Sequence, residues 1–202
     1  MDEDDGSMLA DTPPEYLPLI VKALLVHASA WGDDAALLDG LSGTEHYSKK
    51  DNVSRFVGYG VLDTTRILEC TAERVTLVGY GEIKPGTASL FRLPLPPSLE
   101  RVVEPRSVTV TVAWFGPINP RHQSYRMVAL EAKPGGDPKF SLGVEQSKMQ
   151  PHHMAIDRGT VYHDRREGSR ATPYVDGGDL LVRIGARELP ESSRSPCPTR
   201  WP

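Results

Sequence analysis

Near the start of the chain, His27 and Ser29 interrupt the apolar run LIVKALLVHASAW of residues 19–31. A serine nucleophile needs a histidine base within hydrogen-bonding distance of its hydroxyl. The apolar residues of this run recur at helical spacing and predict a helix. On a helix, residues two positions apart are separated by about 200° of rotation around the axis. The two side chains would then point to nearly opposite faces. We therefore predict polar helix positions hydrogen-bonded to neighbouring backbone, not a catalytic pair.

Other signatures of nucleophilic or phosphate chemistry are incomplete in this sequence. It contains neither the G-x-S-x-G elbow nor the S-x-x-K motif of serine enzymes. The stretch Gly58-Tyr59-Gly60 lacks the third glycine of a dinucleotide-binding fingerprint, and Gly79-Tyr80-Gly81 is followed by a Lys-Pro-Gly turn. Both stretches predict a turn or a helix entry, and we predict no cofactor.

Metal-ligating residue types cluster at two places, His152-His153 with Asp157 and His163-Asp164. Adjacent side chains of a strand point to opposite faces and rarely bind one ion, so we expect surface residues and no metal. The two cysteines, Cys70 and Cys197, make no disulfide framework and no metal motif. Cys70 has the context of a small buried apolar residue, and Cys197 that of a free thiol in a Pro/Ser-rich tail.

Trp114 lies at the end of the most strand-like stretch, VTVTVAWF, and is followed by two prolines, Pro117 and Pro120. Such a tryptophan can form a ligand platform, as on carbohydrate-binding sandwiches. More often it closes the end of a core, with its indole N–H bonded to a nearby carbonyl. The core interpretation is the one that we favour.

The secondary-structure pattern changes from helical to extended at about residue 74. Pro18 can occupy the first turn of a helix, residues 32–52 resemble a loop, and Asp63 is a good N-cap for a short helix that reaches Cys70. Beyond residue 74, short β-rich stretches alternate with Pro/Gly turns, a pattern typical of a β-sandwich or jelly roll. The predicted strands cover residues 75–80, 88–93, 108–115, 125–132, 140–144, 159–163 and 180–184.

Composition and charge exclude several functional classes. The formal charge of −4 conceals an asymmetry, because residues 1–63 carry 12 acidic and 4 basic side chains and the remainder carries 15 and 19. The basic residues are scattered, with no RNA-binding aromatics or zinc-finger spacing, which argues against nucleic-acid binding. The acidic start has no signal-peptide pattern, and no apolar run reaches the ~20 residues of a membrane span. We therefore expect no membrane partner and a cytoplasmic location.

Two stretches taken together indicate a family. Residues 20–30, IVKALLVHASA, and residues 58–63, GYGVLD, resemble the C-terminal end of the catalytic domain of subtilases, the subtilisin-like serine peptidases. In that family a G-T-S-x-A-x-P motif carries the nucleophile, an I-K-A-L-L-V-x-S-A helix follows, and a G-x-G-x-(V/P)-(D/N) turn leads into a last helix. The stretches LFRLPLPPSL, VTVTVAWFGPINPRHQSYR and DGGDLLVRI are similar to the β-sandwich that follows this domain in one bacterial branch.

The resemblance covers about residues 14–187 and implies an α+β chain. On this interpretation the chain divides into a disordered acidic N-terminus (1–15), a helical remnant of the catalytic domain (16–73), an antiparallel jelly-roll-like sandwich (74–187) and a disordered tail (188–202). The Asp, His and Ser motifs of the family are absent from these 202 residues, and Asn52 does not match its oxyanion-hole asparagine. No catalytic residue is therefore assigned, and we expect the chain alone to be inactive.

The family also suggests partners. A nearly all-apolar helix over residues 19–30 is built to be buried on more than one side. Its expected partners are the missing catalytic part of a subtilase, a peptide or protein substrate, or a second copy of the chain. A stand-alone jelly-roll module that binds a protein or a glycan is the alternative function.

Overall fold

The computed structural model describes residues 12–32, 35, 37–38, 49–69, 71, 74–95, 100–121, 126–134, 144, 146–147, 151, 159–170 and 179–189. Among these residues, the helices and two short strands lie before residue 70, and the long antiparallel strands lie after it. The helices are α1 (Leu17–His27), α2 (Lys49–Val57) and α3 (Thr65–Leu68). The strands are β1 (Ser29–Ala30), β2 (Val61–Leu62), β3 (Ala88–Pro94), β4 (Arg106–Ala113), β5 (Val128–Pro134), β6 (Gln146–Ser147), β7 (Val161–Gly168) and β8 (Asp179–Glu188).

Helix α1 confirms the apolar helix predicted from the sequence, but it is shorter than expected. Pro18 lies in its first turn, where a missing N–H costs no hydrogen bond. The helix ends at His27, and Ser29 already belongs to β1, which pairs with β2. Placing Ser29 on the helix was therefore wrong. Pairing with residues 61–62, more than thirty positions further on, overrides the local apolar periodicity.

The two other helices differ from their sequence-based expectation. Helix α2 covers Lys49–Val57, although residues up to 52 were expected to form a loop, because few residues of KKDNVSRFV are apolar. Helix α3 ends at Leu68, and Cys70 lies outside the described residues. Asp63 caps its start as predicted, since one carboxylate oxygen accepts hydrogen bonds from the Thr65 amide at 3.1 Å and the Thr65 hydroxyl at 2.6 Å.

The long strands form two three-stranded antiparallel sheets with the orders β3-β8-β5 and β4-β7-β6. Strand β8 pairs Ile184 with Ser89 on one side and with Ala132 on the other. Strand β7 pairs His163 with Thr111 of β4. An α+β chain with antiparallel sheets, as predicted, is thus the observed class.

Side chains of both sheets meet in one hydrophobic core. Its buried members are Trp114, Val128, Leu130, Ala132, Val144, Tyr162, Leu180, Val182 and Ala186. The valines at positions 108, 110 and 112 of β4 pack against this core. Because strand side chains alternate, Thr111 of β4 faces the other side of the sheet, where helix α1 lies. The sheet β4-β7-β6 therefore lies between α1 and the second sheet.

Most predicted strands are present, with shifted ends. Residues 88–93 and 180–184 lie within β3 and β8, and β4 begins two residues before the predicted 108 and ends at Ala113. Strand β7 extends five residues beyond the predicted end at His163, and β5 begins at Val128 instead of Tyr125. Most of the predicted strand 140–144 lies outside the described residues.

The predicted strand over residues 75–80 is wrong. This stretch contains no strand, although its alternating residues favour one. A strand is stabilised by cross-strand pairing, and these residues run along an open groove instead of beside a sheet edge. None of the described helices is long and apolar enough to cross a membrane.

The hydroxyl of Tyr162 in β7 donates a 2.9 Å hydrogen bond to the carbonyl of Ala132 in β5, and so links the two sheets. Burial raises the pKa of this phenol, so it stays a donor at ordinary pH. We predict that Tyr162→Phe lowers the free energy of unfolding by about 1 kcal/mol, measured by urea denaturation. Tyr80→Phe is the control, because Tyr80 is 47% exposed and keeps its ring stacked on Tyr16. Equal effects of the two substitutions would contradict the inter-sheet role.

Candidate functional site

The most concentrated group of titratable side chains joins helix α1 to the sheet. The Nδ1 atom of His27, at the end of α1, lies 3.0 Å from the Thr111 hydroxyl of β4. The same hydroxyl lies 2.8 Å from Nδ1 of His163 in β7. The Tyr59 ring lies perpendicular to the His163 ring, with 6.3 Å between the ring centroids. We call His27, Thr111 and His163 the histidine bridge.

The hydrogen-bonding capacity of Thr111 constrains the bridge. A hydroxyl has one proton to donate, and a neutral imidazole carries a proton on only one of its two nitrogens. A continuous chain of bonds therefore requires one histidine to donate from Nδ1 to Thr111 and the other to accept at Nδ1. The two imidazoles must hold opposite tautomers, so the three side chains act as one unit.

The surroundings favour the neutral form of both histidines. Burial, together with the nearby His27, Arg66 and Arg165, lowers the pKa of His163 to about 4, against the opposing effect of Asp164. Burial, followed by the Arg66 charge, also lowers the pKa of His27. The imidazole of His163 is only 6% exposed. Near neutral pH the bridge is therefore uncharged.

Ser29 takes no part in this arrangement. Its hydroxyl donates a 2.7 Å hydrogen bond to the carbonyl of Leu25, as a polar group tucked against neighbouring backbone does. This confirms the prediction for Ser29. The same prediction was wrong for His27, because its partner Thr111 lies 84 positions away in the sequence. No local signal could have revealed that contact.

The glycine motif of residues 58–60 has a structural role. Gly60 has a φ of +98°, and a Cβ atom there would lie 2.2 Å from the carbonyl oxygen of Ala30. Only glycine allows this approach, which seats β2 against β1. The Trp31 indole N–H donates a 2.8 Å bond to the Gly58 carbonyl, and the Asp63 amide donates to the Ala28 carbonyl at 3.0 Å. The motif thus ties the end of α1 to the start of α3.

Trp114 belongs to the hydrophobic core and is only 5% exposed, which confirms the core interpretation over a ligand platform. The predicted bond of its indole N–H to a carbonyl is wrong, since none of the described residues accepts it. Gly116 lies against the Trp114 ring, and a Cβ atom added at Gly116 would lie 3.6 Å from Cδ1 of that ring.

The two metal-like clusters have different outcomes. His163 faces helix α1, whereas Asp164 faces the other side of β7 and accepts a 3.1 Å bond from Arg166. The pair therefore does not converge on one point, and the expected surface location was wrong, because His163 and Asp164 are only 6% and 3% exposed. His152, His153 and Asp157 lie outside the described residues, as do Asn52's side chain and Cys197. Over the part of the chain that is described, no three His, Cys, Asp or Glu side chains are placed to hold a metal ion.

An open groove of about 1600 Å³ runs beside the histidine bridge. Its walls are helix α1, residues 74–83 and residues 104–117, and both His27 and Thr111 line it. The rings of Tyr16 and Tyr80, which also line the groove, stack with their centroids 4.8 Å apart. The groove follows β4, which pairs on only one side among the described strands.

Comparison with known proteins identifies no relative. A scan against protein-family models finds no match, and searches of curated proteins and of solved structures find none either.

The bridge generates a direct test of its contribution to stability. We predict that Thr111→Val lowers the free energy of unfolding by about 1–3 kcal/mol, because it leaves partly buried imidazole nitrogens without their shared partner. Thr109→Val is the matched control, since Thr109 lies on the same face of the same strand and takes part in neither hydrogen bond of the bridge. Urea denaturation at pH 7.5 measures both changes. Equal losses for the two variants would show that the bridge adds nothing.

Proposed function

We propose that the chain is the non-catalytic C-terminal portion of a subtilisin-like serine peptidase. On this proposal, residues 16–73 are the end of the catalytic domain and residues 74–187 are the following jelly-roll-like sandwich. The complete protein would hydrolyse peptide bonds through an acyl-enzyme. The chain by itself would be inactive, and would serve as scaffold.

The uneven covering of α1 is the observation that carries the proposal. Ile20 and Val26 are buried, at 4% and 9% exposure, whereas Val21 and Leu25 are both 48% exposed. Val21 and Leu25 are four positions apart and therefore share a face of the helix. A helix with two apolar faces needs cover on both, and the sheet supplies only one. A missing catalytic part would supply the other.

Further exposed apolar side chains occur in the same part of the chain. They are Phe56, Val61, Leu62 and Leu68, whose exposed fractions range from 45% to 76%. Single exposed apolar residues are ordinary on a protein surface, and we take these four as further candidates for the proposed interface because they follow α1 in the same part of the chain. The roles of Ser29 and His27 also favour scaffold, since each hydroxyl or imidazole is already bonded within the fold.

A sandwich for the second part is supported by the shared core. Trp114 and Tyr162 of one sheet and Val182 of the other belong to one cluster of buried side chains. Side chains from two antiparallel sheets that interdigitate in this way form the core of a β-sandwich.

A stand-alone binding module is the second candidate, and the groove along β4 favours it. A free strand edge beside a groove can accept an extended peptide as an additional strand. In that case neither α1 nor residues 49–69 would need a catalytic partner.

A fluorophosphonate probe separates the possibilities for catalysis. We predict no covalent labelling of any serine or threonine of the chain, because the Asp, His and Ser motifs of the subtilase family are absent from these 202 residues. The coding sequence on the 5′ side of Met1 is then determined and searched for a G-T-S-x-A-x-P motif in any frame. The protein extended to include that motif should be labelled at its serine. Labelling of the chain itself would contradict the proposal, and absence of the motif would favour the binding module.

The exposed face of α1 provides a second test. Val21→Glu should change the stability of the isolated chain by less than about 0.5 kcal/mol, because glutamate is a good helix former and the site is half exposed. In the extended protein the same substitution should reduce casein cleavage or stability strongly, since it places a charge in the interface. Val103→Glu is the control, because Val103 is equally exposed, at 49%, but lies before β4. Equal effects of both substitutions in the extended protein would contradict a docking role for α1.

A further inference from the structure

We infer that the histidine bridge is an acid-sensitive joint, which holds helix α1 against the β4–β7 face near neutral pH and loosens it as the pH falls toward 5. This inference is independent of the proposed function, because it concerns only contacts within the chain.

The position of the bridge makes it a joint. His27 is the last residue of α1, and its partners Thr111 and His163 come from two adjacent strands, where they are directly opposite each other. Among the described residues, the Lys22 ammonium also bonds the Thr160 hydroxyl of this sheet region. Apolar side chains of α1 such as Ile20 and Val26 are buried as well. The bridge thus supplies the imidazoles of this interface.

Protonation of the two histidines adds repulsion between them and removes a hydrogen bond of the bridge. With both imidazoles charged, two cations would share the single hydroxyl oxygen of Thr111, each about 3 Å away. Neither histidine could then accept the hydroxyl proton at Nδ1. Repulsion and a lost bond would both favour separation of α1 from the sheet.

The charges around the bridge act mostly in the same direction. Arg66 of α3 acts on both histidines, and Arg165 of β7 acts on His163. Asp164 is the one carboxylate that favours a charged His163, but its side chain lies on the opposite face of β7 and bonds Arg166. The Tyr59 ring, which is perpendicular to the His163 ring, is uncharged. Each guanidinium group has a carboxylate partner, since Arg66 lies 3.4 Å from Asp63 and Arg165 lies 2.8 Å from Glu167. Acid therefore adds positive charge beside two guanidinium groups whose own charges are already ion-paired.

The direction of the pH effect follows from linkage. Burial holds the pKa of His163 near 4 in the closed state, against 6.5 for an exposed histidine. Between these values the open state binds more protons, so the closed state is fully stable above about pH 6.5 and is weakened as the pH falls toward 4. From pH 7.5 to pH 5, His163 alone increases the opening equilibrium constant about 30-fold. The lowered pKa of His27 acts in the same direction.

Amide hydrogen exchange of the full chain tests the joint. We expect the opening constants of the amides in residues 20–27, corrected for intrinsic exchange, to rise about 30-fold between pH 7.5 and pH 5. Amides of β8 in the other sheet should change much less. In the double variant His27→Asn with His163→Asn, the rise should fall below about 3-fold, because an asparagine amide can occupy the Nδ1 position without titrating.

The other four histidines of the chain, His46, His122, His152 and His153, remain in that variant and report any pH effect from elsewhere. Equal opening constants of α1 at the two pH values would overturn the inference. The same rise in wild type and variant would overturn it too.

A measurement on the wild-type chain guards against a variant that does not fold. Titration of the histidine ring signals by NMR should show one midpoint well below 5 and a second lowered midpoint, belonging to His163 and His27. Loss of α1 protection should follow the same midpoints. Six midpoints near 6.5 would overturn the inference without bearing on the peptidase proposal.

Discussion

Strand β4 packs against a different neighbour on each of its two faces, and much of the structure depends on these two contacts. Its valines at positions 108, 110 and 112 pack on the core shared with the second sheet, while Thr111 faces helix α1. Because side chains alternate along a strand, the sequence VTVTVA presents an apolar surface to one layer and hydroxyls to the other. The helix on the hydroxyl side must then offer a polar group at the point of contact.

His27 is that polar group, and its burial explains the unusual chemistry of the contact. An imidazole can both donate and accept, so it can share one hydroxyl with the His163 imidazole of the adjacent strand while remaining neutral. A lysine or a glutamate in the same place would have to be buried with its charge. The site is therefore better suited to holding two parts of the chain together than to attacking a substrate, and its acid sensitivity is a consequence of how it is built.

The uncovered side of α1 is the counterpart of this well-bonded side. One face of the helix is buried on the sheet, and Val21 and Leu25 on another face remain half exposed. The tight approach of Gly60 to Ala30 anchors the end of the same helix to the β1–β2 pair. A helix that is bonded to its neighbours at one end and has an apolar outer face is consistent with the proposed scaffold role.

The sequence by itself determined the local features of this protein. The apolar spacing and Pro18 predicted helix α1, and the β-rich stretches predicted β3, β4 and β8, because each depends on neighbours within a few positions. The apolar context of Trp114 predicted that it is a core residue, but not the distant side chains that bury it. Tertiary structure alone decided the end of α1 at His27, the absence of a strand over residues 75–80 and the bridge of His27 to Thr111 and His163. These outcomes depend on pairing and burial between residues about 30 to 140 positions apart, and a single chain's local pattern carries no record of which distant partner is present.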